Sequence, residues 1–354
     1  MSPVTAPDLS VIVCTHNGAG ELSTVLAGLQ GQELDGPHLE LIVVDDGSTD
    51  GTAAVAARAG ARVVTLRENQ GIAGARNAGV AAARAPIVAF TDDDCEPHPE
   101  WASTLAARFA DESVGGVGGR VIPTGPPSYA IRYLSARNPL TPLPAELADS
   151  PSLSKRLRIY LRGVTGRSHD PAAGARLYSA VGANMAFRRS VLVGLGGFDE
   201  AFRFGGEEEE LCRRMHTDAG RWQLVYEPGA VVKHHFKAST WDTLRRARAY
   251  GRGNAREALK YGERHVIVFP LPVLVALGLL AALARRRPRW AVAAGALPLV
   301  GYPRWISDAR RDRSLEAVTF PYLELAQEVY TMLGEADGYR AGYEPVRARN
   351  LTPS

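Results

Sequence analysis

The stretch Ile87-Val88-Ala89-Phe90-Thr91-Asp92-Asp93-Asp94-Cys95 constrains this chain more than any other. Its apolar run reads as a buried strand, and the strand stops at three consecutive aspartates. Open α/β sheets place ligand chemistry beyond the carboxyl ends of their strands. Adjacent carboxylates repel one another, so they persist there when a hard cation such as Mg2+ or Mn2+ lies between them and a phosphate. The pattern points to a nucleoside diphosphate, although three acids by themselves fit a solvated turn equally well.

The preceding residues supply the rest of such a site. Leu9 to Cys14 is a short β-rich run closed by Thr15-His16-Asn17-Gly18, and Leu22, Val25, Leu26 and Leu29 then recur at helical spacing. A second strand, Leu39 to Val44, ends in Asp45-Asp46-Gly47-Ser48-Thr49-Asp50. Ala61 to Leu66 reads as a third strand and Ile72 to Ala83 as an alanine-rich helix leading to the strand at Ile87. This alternation is the opening of a parallel sheet, with the loops after strands one, two and four converging on one edge. Asp45 and Asp46 can accept hydrogen bonds from a base or ribose, Gly47 permits a tight turn, and Ser48, Thr49 or Asp50 can cap the next helix. An acidic capping turn explains Asp50 better than Asp46. Within Asn69 to Gly79, small residues suit a helix lying close on the sheet, and Arg76 is the single cation.

Taken in order, Val11 to Asn17, Val43 to Thr52, Asn69 to Gly79 and Asp92-Asp93-Asp94 resemble the N-terminal motifs of family 2 glycosyltransferases, in a bacterial branch of rhamnosyl-, galactofuranosyl- and mannosyltransferase-like enzymes. The resemblance covers about residues 8 to 240. It implies an α/β GT-A fold, Rossmann-like, with a mostly parallel mixed sheet flanked by helices and a C-terminal helical, membrane-associated region. It further implies that Asp46 contacts the base, Arg76 assists nucleotide binding, Asp92 supports the sugar-nucleotide and Asp94 ligates the metal. Cys14, Thr15, Asn17, Asp93 and Asn184 join the implied donor-binding set.

A second acidic block, Gly206-Glu207-Glu208-Glu209-Glu210-Leu211-Cys212-Arg213-Arg214, opens a helix where the helix dipole favours negative charge. Crowded acids also raise the pKa of at least one member, which suits a base taking a proton from a sugar hydroxyl. The block resembles the family's Gly-Glu-Asp-x-Asp-Leu-x-x-Arg pattern. Laid onto it, Glu207 is the first acid, Glu208 the catalytic aspartate, Glu210 the second aspartate and Arg214 the arginine. A glutamate one methylene longer replaces the usual base, so the base is Glu208, with Glu207 as the alternative. The resemblance also implies that one histidine of His234-His235 completes the metal shell, and spacing to Ser239 favours His234.

Pro123 to Pro151 reads as one long loop, rich in proline. Residues 241–264 alternate cations with apolar and aromatic residues as an interfacial helix does. Within 265–306, the run Val266 to Ala284 has no charge and would reach about 28 Å as a helix, enough to cross a bilayer. A membrane hairpin or re-entrant segment is expected there, and an amphipathic helix and tail over 307–354, packing on that region or on a second subunit as a homo-oligomer. Lys plus Arg (41) nearly balance Asp plus Glu (38), but arginine clusters at Arg245-Arg246, Arg285-Arg286-Arg287 and Arg310-Arg311 favour an anionic membrane surface over nucleic acid. Cys14, Cys95 and Cys212 lack metal-ligand spacing and, with no secretory pattern at Met1 to Asp8, suggest the cytoplasmic face of the cell membrane.

The expected activity is inverting, Mn2+- or Mg2+-dependent sugar transfer from a UDP-, dTDP- or GDP-linked donor to a hydroxyl acceptor, possible acceptors including lipid-linked and cell-envelope glycans. Two other readings use the same sheet. A nucleotidyltransferase would want a basic residue after strand one, which Thr15 to Gly18 lacks; a degenerate nucleotide-binding membrane protein would lose the acids after Gly206.

Overall fold

The computed structural model describes residues 7–33, 38–145, 153–166, 171–203, 205–218, 221–263, 269–311, 313–346 and 351. Strand β1 (Leu9–Thr15) is buried along its whole length between two parallel neighbours, β2 (Leu39–Asp45) and β4 (Ile87–Asp92), and β3 (Arg62–Thr65) extends the sheet beyond β2. Past β4 the sheet becomes mixed. It takes in β5 (Cys95–Pro97), β6 (Val114–Thr124), β9 (Met185–Arg188) and β10 (Gln223–His235), in the order β3-β2-β1-β4-β9-β6-β10-β5. A two-stranded ladder, β7 (Leu143–Pro144) with β8 (Leu177–Ser179), stands apart.

Alternate residues of β1 feed two cores, as a strand covered on both faces requires. Leu9, Val11 and Val13 pack in the layer of α1 (Leu22–Gln30) and of Trp101 from α4 (Trp101–Ala107). Ile12 and Cys14 face the layer of α3 (Gly71–Ala82). Gly79 makes the second layer thin: a Cβ there would come within 2.6 Å of Ile12 Cγ2, so glycine lets α3 lie directly on the sheet. The remaining helices on this frame are α2 (Thr52–Arg58), α6 (Leu153–Val164), α7 (Arg189–Gly194) and α8 (Glu207–Thr217).

Three expectations are corrected. Inside the supposed loop 123–151 lies α5 (Tyr129–Ala136), begun by Ser128, whose hydroxyl accepts from the Ile131 N–H at 3.2 Å. Its buried residues Ala130, Ile131, Tyr133 and Leu134 recur at helical spacing over only eight residues, and tertiary contact holds them, with the Tyr133 ring 5.3 Å from Trp305 and 5.5 Å from Phe320. Residues 146–151 of that stretch lie outside the described residues.

Second, α9 (Thr240–Lys260) is an interior helix rather than an interfacial one. It runs between the Gly205-Gly206 loop and α13 (Phe320–Ala341), with glycines at the crossings. A Cβ on Gly251 would strike the Thr331 carbonyl, one on Gly334 the Arg248 carbonyl, and one on Gly253 would sit 2.5 Å from the Gly205 carbonyl. The alternation of cations and apolar residues is the same for a buried and an interfacial helix; the small residues decide for packing.

Third, the apolar run does not form a crossing helix. It folds as α10 (Pro270–Ala284) followed by α11 (Pro288–Gly301), of 15 and 14 residues, each about 22 Å long against a hydrocarbon layer of about 30 Å. Among the described residues no helix is long and apolar enough to cross a membrane. Residues 264–268, which include the start of the run, lie outside them. A short amphipathic helix, α12 (Pro303–Arg311), leads on to α13.

Candidate active site

The end of β4 and the ladder between β5 and β10 bring one set of donors together. In that antiparallel pairing His234 stands opposite Cys95, and the His235 N–H donates to the Asp94 carbonyl at 2.8 Å. This register carries the His234 ring inward, with Nε2 3.4 Å from Asp94 Oδ1 and 4.0 Å from Asp92 Oδ2. His235 turns outward to Glu96 at 3.3 Å. Donor atoms of Asp92, Asp94, Cys95 and His234 all lie within 4.8 Å of one another.

Asp93 points elsewhere and accepts the Thr15 hydroxyl at 2.5 Å, so alternate residues of the acidic run serve different partners. Asp92, read from the motif as a donor contact, stands with the candidate metal ligands. The signal available in sequence was the i, i+2 spacing of Asp92 and Asp94. Burial, reinforced by Asp92, raises the Asp94 carboxyl to about 7, and burial lowers His234 to about 4, which keeps its imidazole neutral.

The loops after β1 and β2 are tied to each other. Asn17, at φ 54°, donates its backbone N–H to Ser48 Oγ at 2.8 Å and accepts from the Thr49 N–H at 2.9 Å. Asp46 is buried, and its two carboxylate oxygens accept from the Gln70 and Gly71 amides at 2.7 and 3.0 Å, at the start of α3. Asp46 thereby holds the start of α3 rather than the turn after β2, where Asp50 accepts from the Thr52 N–H at 3.0 Å. Cys14 backs the site from the core with a thiol that burial keeps protonated.

Arg76 links the two acidic groups. Its guanidinium is 3% exposed, donates from Nη1 to Glu207 Oε1 at 2.7 Å and approaches Asp92 Oδ1 with Nη2 at 3.6 Å. The rings of Phe90 and Phe198 flank it at 5.9 and 5.5 Å. Gly182 leaves it room, since a Cβ at that position would strike Nη2.

Pairing with Arg76 separates the two candidate bases. Glu207 is committed to the cation, while burial and the neighbouring Glu207 charge push Glu208 well above the usual carboxylate range. Glu207 Oε2 and Glu208 Oε2 are both buried without a hydrogen-bond partner among the described residues, so the ion pair to Arg76 is what distinguishes the two carboxyls. The pairing with Arg76 leaves Glu208 the less committed of the two carboxyls.

Three other residues of the expected site are structural. Asn184 is fully buried: its amide donates to the Arg120 and Ala230 carbonyls at 2.9 and 2.8 Å, and Oδ1 accepts from the Trp101 indole at 2.9 Å. Those bonds lock β6, β10 and α4 together and leave no group facing a donor, which corrects its place in the donor-binding set. Glu210 accepts from Arg214, Lys260 and the Tyr261 hydroxyl, while Arg214 also donates to the Leu195 and Gly197 carbonyls. This pair fastens α8 to α9 and to the turn after α7.

Residues 10–193, over half of the chain, match the family model described as Glycosyl transferase family 2. The chain belongs to this family. It is 30% identical over 260 residues to the pre-mycofactocin glycosyltransferase of Mycobacterium tuberculosis, covering 73% of this chain and 49% of that protein. With glycosyltransferase AglE of Haloferax volcanii it shares 34% identity over 141 residues, 38% of this chain and 46% of the other. The chain thus spans about half the length of these curated relatives. The solved mannosyltransferase PcManGT from Pyrobaculum calidifontis, in complex with GDP-Man and Mn2+, has a similar fold, with a TM-score of 0.53 and 21% identity over 95% of this chain and 88% of that one. The architecture is that of the GT-A α/β fold, extended by the C-terminal helices.

Proposed function

We propose that this family 2 member is an inverting, divalent-metal-dependent glycosyltransferase that moves a sugar from a nucleoside diphosphate to a hydroxyl acceptor. The observation that carries the reading is the bridge at Arg76, which ties the Asp92 end of the donor cluster to Glu207, the neighbour of Glu208. The donor set suits a divalent cation: the carboxylates of Asp92 and Asp94 converge with a neutral imidazole whose Nε2 faces both of them, at 4.0 and 3.4 Å. Cys95 is a poor further ligand because burial holds its thiol protonated. Asp92, Asp94 and His234 would hold Mn2+ or Mg2+, which when bound neutralises charge developing on a departing diphosphate.

The protein's own steps follow from the positions of its groups. Glu208 takes the acceptor hydroxyl proton, the acceptor oxygen attacks the anomeric carbon, and the bond from that carbon to the phosphate oxygen breaks on the opposite face. A single displacement of this kind inverts the anomeric configuration. Calorimetric titration of UDP, dTDP and GDP with Mn2+ or Mg2+, then with chelator, tests the donor site. One diphosphate should bind with metal and fail to bind to Asp94→Asn. Binding of none would sink the transferase reading, and a product with retained configuration would sink the single displacement.

The reading places the enzyme on the cytoplasmic face of an anionic membrane, acting on a lipid-linked acceptor. This is supported by the α10–α11 hairpin, where Leu277, Leu280, Leu283, Val292 and Val300 are exposed, and by the four arginines Arg285, Arg286, Arg287 and Arg289 at its turn. No acid occurs between residues 270 and 307. Apolar surface beside an uncompensated cationic turn fits an anionic bilayer. Cosedimentation should be stronger with phosphatidylglycerol than with phosphatidylcholine vesicles and be lost on changing Leu277, Leu280 and Leu283 to serine. No pelleting with either vesicle would remove the membrane from the proposal.

A further inference from the structure

The family match ends at residue 193, yet one face of α9, some fifty residues later, enters the site. Arg246 and Tyr250 are one helical turn apart and share that face. The Arg246 guanidinium lies 5.2 Å from the Phe236 ring, which itself stacks on His234 at 4.3 Å. Its Nε donates to Asp242 Oδ2 at 3.1 Å, and its Nη2 is 3.8 Å from Asp94 Oδ2, beyond hydrogen-bond range. Asp242 therefore fixes the stem of the fork and leaves its far edge turned toward the donor cluster. Tyr250 marks the other end of this face: Glu207, Glu208, Asp92 and Arg246 all act on its phenol electrostatically. The α9 backbone is immobilised by its close crossings with the Gly205-Gly206 loop and α13.

A cation held beside a metal-binding carboxylate, but not paired closely with it, has unused capacity for an anion. We propose that Arg246 binds the β-phosphate of the nucleoside diphosphate and stabilises it as the leaving group. The inference rests on the transferase reading and extends it to a residue outside the matched segment. In the step, the bond between the anomeric carbon and the β-phosphate oxygen breaks and its electron pair stays on that oxygen. The acceptor proton passes to Glu208, and Arg246 donates to the phosphate that gains the charge.

The test compares binding of UDP, GDP and dTDP with binding of UMP, GMP and dTMP, each with Mn2+, in the full chain and in Arg246→Gln. The variant should bind the preferred diphosphate about 10- to 100-fold more weakly, while affinity for the matching monophosphate stays the same. Equal loss for both nucleotides, or loss for neither, would overturn the role of Arg246 while leaving the transferase reading intact. If the full chain itself binds no diphosphate, both fall together. Arg246→Lys carries the same comparison where the glutamine variant does not fold: a point charge in place of the fork should weaken diphosphate binding less, and still leave the monophosphate unaffected.

Discussion

Replacing Arg76 by methionine should damage the fold before it damages anything else. The guanidinium is 3% exposed and is the cation that Glu207 contacts, at 2.7 Å, inside a site where Glu207 is itself 3% exposed. Methionine removes the charge without leaving a large void, so the cost is chiefly that of a buried carboxylate without its partner, about 3–5 kcal/mol. In a chain of 354 residues each kcal/mol moves the melting temperature by about 1.3 °C, so a drop of roughly 4–7 °C is expected. Asp92, at 3.6 Å and partly exposed, adds less because water screens it. The double variant Arg76→Met with Glu207→Leu removes both charges and should recover most of the loss, since an apolar pair of similar volume is about as stable as a buried ion pair. Thermal unfolding of wild type, both single variants and the double variant gives the coupling directly. A single Arg76→Met variant melting within a degree or two of wild type, or a double variant no better than the single ones, would refute the argument that the pair is held by its mutual charge.

Glu208→Gln should lower kcat by about 10²- to 10⁴-fold with donor affinity kept. Because burial and Glu207 raise the Glu208 pKa, wild-type activity should climb with pH until that carboxyl ionises, and a pH profile of the same shape in a residual Glu208→Gln activity would remove Glu208 from the role. At Glu210 burial pushes the pKa up, but the Arg214 and Lys260 bonds prevail and hold it below the ordinary value. Its stabilisation is therefore present above the unfolded pKa and lost as pH falls through the folded one, so acid unfolding should be flatter in Glu210→Gln; identical acid limbs would contradict this. Asn184→Ala strands the Trp101 N–H, at about 1–3 kcal/mol for an unpartnered buried donor, and should lower the melting temperature without changing nucleotide affinity. Weaker binding at an unchanged melting temperature would return Asn184 to the donor site.

The order of the N-terminal motifs was enough to place the sheet, because alternating apolar strands and amphipathic helices with acids at strand ends allow few arrangements. β1, β2, β4 and α3 all fall where their residue patterns put them, and of the histidine pair it is His234 whose ring turns toward Asp94. What each acid does was a different matter. Asp92, Asp93 and Asp94 look alike in sequence, and only the β5–β10 register and the position of Thr15 send the middle one away from its neighbours. Glu207 and Glu208 are likewise indistinguishable until Arg76, 131 residues earlier, pairs with one of them. Asn184 passed for a donor contact because a buried amide and a ligand-binding amide have the same local sequence. The C-terminal helices show the limit most clearly: cations and apolar residues over 241–264 satisfy an interfacial helix and a packed one equally, and contacts of Gly251, Gly253 and Gly334 with distant backbone brought Arg246 to the catalytic cluster. Local pattern fixes which face of an element is apolar; which groups meet across 100 residues depends on how closely backbones approach, and that is a property of the packed chain.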